Sequence, residues 1–576
     1  MANSELLFSL LEKRGITGEK KIDIFLNPSY ERDFHDPFLM RDMEKACKRL
    51  FQAIENNEKI VIYADYDCDG IPGAVILSDF FKKIDYKNYE VYIPQRNSEG
   101  YGLNLEAIKQ FTEKEVKLLI TIDLGITAVD EVAEASMNGI DVIITDHHLP
   151  HEILPDAYAI LNPKVDNYPE KMLCGAGVMF KFIQGLISEV SRNFLSAELA
   201  TLKQSSTAKS RLSSLEKLRE ANLGWEKWTL DMAGLATLSD MVPLTGENRA
   251  IAYFGMKVLK KSPRPGLQKL LSIMKIDQRY LSEDDIGFML TPRLNAASRM
   301  DDPRRAFELL STTDPVEAGV LANHLSKIND ERKNIVKSIM REVNKKFENR
   351  EPSEVIVVGN PEWRIGVLGL VAGKIMDEYD KPVFVWGKDE NDAIKGSCRS
   401  PGSVSVVELM TATSEVFVEY GGHELAGGFT VHHDQVHFLE EILSTNFLKI
   451  KKESSLDLAS VAHDVESDLA VVNKKNWKEL EKMSPFGLGN PKPVFLFPNV
   501  KLEKIKKFGK NGSGEHIELV VSDVNQNQAT AIAFFSGVDS FAVPLEVGNR
   551  INLLATFDLS RFRGKEELRL RIEDIV

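Results

Sequence analysis

Only four cysteines occur in 576 residues (Cys47, Cys68, Cys174 and Cys398), and no two of them form a CxxC pair. Neither a disulfide framework nor a zinc knuckle is indicated, and a reducing cytosol is the expected compartment. No run of ~18 uninterrupted apolar residues is present, so no membrane span is expected. The segment MANSELLFSLLEKRG mixes acids and bases and carries no long apolar core; the expectation is a soluble, untargeted, cytoplasmic chain. There is no GxxxxGK[ST] loop to cradle a nucleotide, which leaves ATP-driven action unsupported. Positive charge is not in excess either: 72 Lys and Arg stand against 86 Asp and Glu, a formal net charge of -14. That argues against a nonspecific nucleic-acid coat, whose affinity comes from basic residues, while leaving room for a local basic groove.

What the chain does have is 43% hydrophobic and 27% charged residues, a globular composition long enough for three or four domains of ~150 residues. Three segments share one design: EKIVIYADYD (58–67), VKLLITIDLG (116–125) and IDVIITDHH (140–148). Each is a continuous apolar run, as in strands buried on both faces of a parallel sheet, and each ends in aspartate. Helix-like stretches at 74–84 and 128–140 lie between them, giving a βαβαβ order. Ligands of open α/β sheets bind beyond the carboxyl ends of the strands, so Asp65, Asp67, Asp69, Asp123 and Asp146 to His148 are expected to share one crevice. If 65 to 69 continues as extended strand, its three aspartates point to one side and can bridge two ions, with Tyr66 and Cys68 facing away. The spacing does not fit a calcium-binding EF-hand, because no glutamate stands at the twelfth loop position. Carboxylates with imidazole suit Mn²⁺ or Mg²⁺, and two such ions serve hydrolysis of a phosphate ester or anhydride.

A further aspartate, Asp240 in ATLSDMVPL, follows a Ser- and Lys-rich stretch (205–217) within an insertion near 190–228 that reads as solvated and without chemistry. Asp314, Pro315 and Glu317 then open a helical pattern running to Phe347, a connector of about 50 Å at 1.5 Å per residue. An α/β pattern restarts at EVIVVGN and KPVFVWG, and four short alternating runs after residue 515 predict a small barrel. The expected order is an N-terminal segment (1–48) packed on a parallel-sheet α/β domain (49–312), a connector helix (313–350), a second α/β domain (351–452) and an OB-like barrel (460–576). SPFGLGNPKPVF (484–495) reads as a turn-rich boundary. The lysines of KLEKIKKFGKNGSG (501–514), with Phe508 among them, read as part of a strand-binding surface.

The motifs ADYDCDG, TIDLG, TDHH and LSDMVPL resemble the four motifs of the DHH phosphoesterase superfamily. The series IPQRNSEGYGL, LTPRLNAASRM, GSCRS, GGHELAGG and SPFGLGNPKPVF extends the likeness, in order, along nearly the whole chain to its single-strand-specific 5′→3′ DNA exonuclease branch. The resemblance implies a DHH domain with two divalent ions, Mn²⁺ or Mg²⁺. Asp67 and Asp123 would hold one, assisted by Asp65; Asp69, Asp123, His147 and Asp240 would hold the other, and His148 would face the scissile phosphate. Arg96, Arg299, Ser397, Arg399, Gly422 and His423 match substrate-cleft positions. Arg293 reads equally as a structural ion pair and stays outside this set. Three positions depart from the family's usual residues: Ser298 for glycine, Arg364 for histidine, and AGG (426–428) for AAG. The implied activity is hydrolysis of single-stranded DNA to 5′-mononucleotides in repair and recombination, by a monomer whose partners include a single-strand-binding protein and a helicase. A phosphodiesterase for short oligoribonucleotides or cyclic dinucleotides, and a non-catalytic replication scaffold, are the alternatives.

Overall fold

Five short apolar runs build the first sheet: β1 (Ile60–Ala64), β2 (Tyr89–Tyr92), β3 (Leu118–Ile122), β4 (Asp141–Thr145) and β5 (Ala159–Leu161). The structure is a computed structural model describing residues 5–96, 98–165, 167–192, 224–348, 350–450, 463–509, 516–534, 536–561 and 566–576. All five strands are parallel, in the order β2-β1-β3-β4-β5. β1 and β3 are buried at every position, the mark of a sheet covered on both faces. The chain leaves β1 toward β2 on one side and returns through β3 on the other. The strand order therefore reverses between β1 and β3, and a crevice opens at their carboxyl ends. Helix Gly70–Lys83, buried along most of its length, follows the loop after β1.

The connector is a single helix, Pro315–Phe347, of 33 residues. The Asp314 side chain accepts from the Val316 amide at 2.8 Å, and Pro315 occupies the first turn. Its early apolar residues, Leu321, Ala322 and Leu325, are buried, and the helix packs against Pro265–Met274 and Thr291–Met300. Val336, Ile339 and Val343 join the core of the second α/β domain beside Val367, Val371 and Val385. One helix thus serves two cores. The second sheet comprises β6 (Ile356–Gly359), β7 (Val383–Lys388), β8 (Ile394–Arg399), β9 (Phe417–Gly422) and β10 (Ala426–Val431), in the order β6-β7-β8-β10-β9. Only the β6–β7 pair is parallel.

The C-terminal sheet holds β11 (Val465–Glu466), β12 (Phe495–Phe508), β13 (His516–Ser522), β14 (Gln528–Phe534), β15 (Arg550–Ser560) and β16 (Glu567–Ile575). Pairing of β12 with both β13 and β15 closes it into a barrel. The 14-residue β12 was not read as a strand from sequence. Lys504, Lys506 and Lys507 are exposed while Val500 and Leu502 are buried, so the charge hid the alternation.

The N-terminal expectation needs correcting. Helix Glu5–Lys13 buries Leu7, Leu10 and Leu11 in the barrel's core with Phe495, Phe497 and Leu553, and residues up to Phe34 cluster with the barrel. Residues 35–48 cluster instead with the α/β unit, so 1–48 is not one segment packed on the first α/β domain. An amphipathic stripe fixes that a helix buries one face but not which core receives it. The Ser- and Lys-rich stretch 205–217 lies outside the described residues, as do Lys510 and most of the insertion.

Candidate metal centre

The first residue past each central strand keeps its amide in the sheet: Asp65 donates to the Ile122 carbonyl (3.1 Å), Asp123 to Thr145 (2.9 Å) and Asp146 to Leu161 (3.1 Å). The sheet thereby delivers three carboxylates to its own edge. Beyond Asp65 the chain does not stay extended, contrary to the alternation expected from sequence: β1 ends at Ala64, and 65–69 is a turn into the helix Gly70–Lys83. Asp67 makes that turn, its Oδ1 accepting from the amides of Asp69 (2.8 Å) and Gly70 (3.3 Å). Tyr66 and Cys68 are buried. Asp69 is held from another element, accepting from the amides of Gly175 (2.6 Å) and Ala176 (2.7 Å) at the start of helix Gly175–Arg192. Asp123 has a left-handed backbone, φ 64°, a conformation that costs an L-residue strain. Gly175 makes room for it, since a β-carbon there would stand 2.6 Å from Asp123 Cβ. Asp240 follows helix Leu230–Ser239 as its C-cap.

Around these lies His147. Its Nε2 is 3.1 Å from Asp123 Oδ1, 3.7 Å from Asp69 Oδ2 and 3.8 Å from Asp240 Oδ2. Three groups present ligand atoms that lie within 4.8 Å of one another: Asp65, Asp67 and Asp123; Asp69, His147 and Asp240; Asp123, His147 and His148. Burial, and then the charge of Asp67, pushes the Asp65 carboxyl well up; burial, and then the charge of Asp69, does the same to Asp123. Asp69 is pushed up to about 6 and Asp240 to about 9, burial again leading. Burial, with His148 beside it, drives His147 down to about 3, so it is a neutral donor. Oδ1 of Asp65 and Oδ1 of Asp123 are buried without a hydrogen-bond partner among the described residues. Such orphaned oxygens in a cluster of mutually repelling carboxylates fit divalent cations with oxygen and imidazole ligands.

Asp146 shows the contrast. Its Oδ1 accepts from the amides of His147 (2.7 Å) and His148 (3.0 Å) and contacts His148 Nδ1 (2.8 Å), while Oδ2 accepts from the Ile126 amide (2.9 Å). Although burial alone would raise it, these bonds hold Asp146 below the usual carboxylate range, and it anchors the histidines without facing the cluster's centre. Burial likewise would lower His148, yet the bond to Asp146 keeps it above its ordinary value. Sequence reasoning missed several supporting groups. Asn162 donates to the His148 carbonyl (3.0 Å), Lys164 bonds the His147 carbonyl, and the Tyr101 hydroxyl donates to the Asp123 carbonyl (3.2 Å). NPK at the end of β5 was the available signal.

Of the expected cleft residues, three arginines approach one another. Arg96 lies 4.9 Å over the Tyr66 ring. Arg299 donates to the Gly366 carbonyl (3.2 Å) from the helix Thr291–Met300 and is lowered to about 9 by burial and by the charges of Arg96 and Arg332. Arg399 is lowered by burial and by Arg96, and its Nη1 donates to Ser397 Oγ (3.2 Å) and the Cys398 carbonyl (2.7 Å). Ser397 and Arg399 share one face of β8, with the buried Cys398 on the other. None of the three arginines forms an ion pair among the described residues. Gly422 and His423 sit at the exposed turn between β9 and β10, and no hydrogen bond joins them to these arginines among the described residues. Gly422 has φ 143°, and a side chain there would collide with Gly427. Of the departures, Ser298 is buried, its hydroxyl on the Asn295 carbonyl, Arg364 precedes the helix Ile365–Tyr379, and Ala426 to Gly428 on β10 pair with Arg399 to Ser397.

Family models match along the chain: the DHH family N-terminal domain over residues 59–207, the DHHA1 domain over 353–449 and the RecJ OB domain over 463–574. The chain is 33% identical over 575 residues to the single-stranded-DNA-specific exonuclease RecJ of Bacillus subtilis, covering 99% of this chain and 67% of that protein. It is 30% identical to the RecJ of Escherichia coli, covering 92% and 90%. The fold is that of Thermus thermophilus RecJ in complex with Mn²⁺, with a TM-score of 0.76 at 22% identity, covering 100% of this chain and 78% of that one. A second solved structure, exonuclease RecJ bound to manganese, aligns with a TM-score of 0.59 at 27% identity over 71% of this chain and 95% of that one. With the carboxylates of the four motifs gathered around His147, a RecJ OB domain following the DHHA1 domain in sequence, and relatives at 30–33% identity over nearly the whole chain, the chain belongs to the RecJ family of single-stranded-DNA-specific exonucleases.

Proposed function

We propose that this chain hydrolyses single-stranded DNA from its 5′ end, releasing 5′-mononucleotides, with two Mn²⁺ or Mg²⁺ ions held by the carboxylate and histidine cluster. The observation that carries this is the sharing of Asp123 between ligand groups, with His147 Nε2 at 3.1 Å from its Oδ1. Asp65, Asp67 and Asp123 would hold one ion; Asp69, Asp123, His147 and Asp240 the other. When bound, a pair of divalent ions activates a water nucleophile and stabilises the oxygens of an in-line displacement at phosphorus.

The chain's own residues do the rest. Asp146 fixes the His148 ring by accepting from Nδ1 and favours its protonated form, in which Nε2 also donates and can meet a phosphate oxygen. Arg96 and Arg299, without carboxylate partners, suit phosphate grip, because a guanidinium fork binds a phosphate through two donors. Direction comes from Arg399 and Ser397, whose positions in the second lobe suit a terminal 5′ phosphate, with Gly422 and His423 beside them in the same role. Family membership supports a cytoplasmic monomer that works with a single-strand-binding protein and a helicase; among the described residues no helix is long and apolar enough to cross a membrane.

The test is degradation of 5′-labelled and 3′-labelled single-stranded DNA, matching RNA and blunt duplex in Mn²⁺, Mg²⁺ or EDTA. Release of labelled mononucleotide first from the 5′-labelled single strand, and none in EDTA, is the expected result. Digestion from the 3′ end, or of RNA and DNA alike, contradicts the reading.

A further inference from the structure

Helix Thr291–Met300 carries Arg293, Asn295 and Arg299, and it packs against the connector helix Pro315–Phe347. On the connector, Ser326, Asn329 and Arg332 stand three residues apart and so run along one side. The polar groups of this seam do not satisfy one another. Nε of Arg293, Nε of Arg332, Oγ of Ser326, Oδ1 of Asn295 and both amide atoms of Asn329 are buried with no hydrogen-bond partner among the described residues, and Asn329 is fully buried. Arg293 does donate from Nη1 to the Met289 carbonyl at 2.6 Å. Neither Arg293 nor Arg332 has an ion pair within 4.0 Å among the described residues; Asp330, exposed and 3.8 Å from Lys333, acts on Arg293 only at longer range.

Each unsatisfied buried polar group costs stability, a charged one more than a neutral one. Two of these atoms, Oδ1 of Asn295 and Oδ1 of Asn329, are acceptors, whereas Nε of Arg293, Nε of Arg332 and Nδ2 of Asn329 donate and the Ser326 hydroxyl can. An anion with several oxygens is the ligand that meets the two guanidinium donors with the amide and hydroxyl. The position says which anion. Arg293 stands on the same helix as Arg299, nearly two turns or about 9 Å along its axis at 1.5 Å per residue, and the residue Arg332 remains partly open to solvent. Burial and then the charges of Arg96 and Arg332 lower Arg299, and burial and then Arg293 lower Arg332.

We propose that Arg293 and Arg332, backed by Asn329 and Ser326, form a phosphate subsite that extends the single-strand path beyond Arg299 to backbone phosphates on the 3′ side of the cleaved bond. This rests on the exonuclease reading above. A strand long enough to reach the seam gains binding there, and a dinucleotide does not.

The experiment compares a 5′-phosphorylated dinucleotide with a single strand of about 20 residues, measuring kcat/KM in Mn²⁺ and, for the long strand, binding across a salt series in EDTA. Arg293→Gln and Arg332→Gln are each expected to lower the long-to-short ratio of kcat/KM about tenfold and to reduce the salt slope of binding by about one. Arg332→Lys, which keeps charge and stem, is expected to retain the slope, and its recovery shows that loss in the glutamine variant is not misfolding. Equal losses on both lengths, or an unchanged salt slope in both glutamine variants, would overturn the subsite. If inorganic phosphate inhibits the wild type but neither glutamine variant, and both variants still bind the long strand normally, the seam takes a free anion and the strand assignment is wrong. A wild type that binds the long strand in EDTA yet hydrolyses nothing refutes the exonuclease reading alone, and the slope comparison still decides the subsite.

Discussion

Gly175 and Asp123 are in backbone-to-side-chain contact: a β-carbon on Gly175 would stand 2.6 Å from Cβ and 2.7 Å from Oδ1 of Asp123. The Gly175 amide also holds Asp69 at 2.6 Å, so one helix start positions carboxylates from two loops. Gly175→Ala is expected to cut kcat at least 100-fold, about 2.7 kcal/mol, and to weaken Mn²⁺ binding in calorimetry. Wild-type turnover and Mn²⁺ affinity in this variant would show that the close approach is incidental.

Asp123 carries a buried oxygen with no hydrogen-bond partner among the described residues and a carboxyl that its neighbours oppose. Asp123→Asn keeps the shape and removes the charge. The variant is expected to show no hydrolysis at any Mn²⁺ concentration and, in EDTA, to be more stable than the wild type by about 1–2 kcal/mol. Denaturant melts with and without Mn²⁺ check it; near-normal turnover by a folded variant sinks the two-ion assignment.

The metal-free protein has a pH signature. Asp240 titrates at about 9 in the fold, and Asp65 and Asp123 also lie well above the carboxylate range. Between the unfolded and folded values the native state binds more protons, so stability falls as pH rises. His147, lowered to about 3, works in the opposite direction, but only below its unfolded value near 6.5. Stability in EDTA is therefore expected to decline from about pH 7 to pH 9, and saturating Mn²⁺ should abolish or reverse that decline. A flat EDTA profile over this window contradicts the electrostatics described for the cluster.

Arg399 and Ser397 are joined at 3.2 Å on one face of β8. Arg399→Ala is expected to reduce cleavage of 5′-phosphorylated strands about tenfold or more relative to 5′-hydroxyl strands, with bound metal unchanged. Should the variant keep the wild-type preference for a 5′ phosphate, the anchor lies elsewhere.

Leu10 is fully buried in the barrel core with Phe495 and Leu553. Leu10→Ala is expected to destabilise that unit by about 2–5 kcal/mol. Hydrogen exchange should then rise in β12 and β15 rather than in β1 and β3. Increased exchange confined to the first sheet would restore the packing expected from sequence.

Much of the catalytic edge was legible because its signal is local. Val, Ile and Leu runs ending in aspartate define β1, β3 and β4, and a parallel sheet leaves those ends no other destination. The geometry within the edge was less so. Alternation suggested an extended 65–69, but Asp67 bonds the amides of Asp69 and Gly70 and turns the chain, an outcome that spacing alone does not distinguish from a strand. Asp146 looked equivalent to its neighbours until its four hydrogen bonds showed it to be an anchor. The seam of Arg293, Asn329 and Arg332 depends on the docking of two helices and left no motif to read. In the barrel, exposed lysines on β12 disguised a strand as a charged run.

The barrel core also sets an order of events during synthesis. Lys13 and Arg14, following the helix that supplies Leu7, Leu10 and Leu11, bond the Asp464 carbonyl and the Asn490 side chain, partners 451 and 476 positions away. At ~5–20 residues per second, a ribosome needs roughly half a minute to a minute and a half to make the chain between them. Through that interval the three leucines have left the ribosome and their own core does not yet exist. Both α/β domains can be complete before the barrel begins to close. That core is complete only when β15 and β16 follow, because Leu553 and Ile575 belong to it.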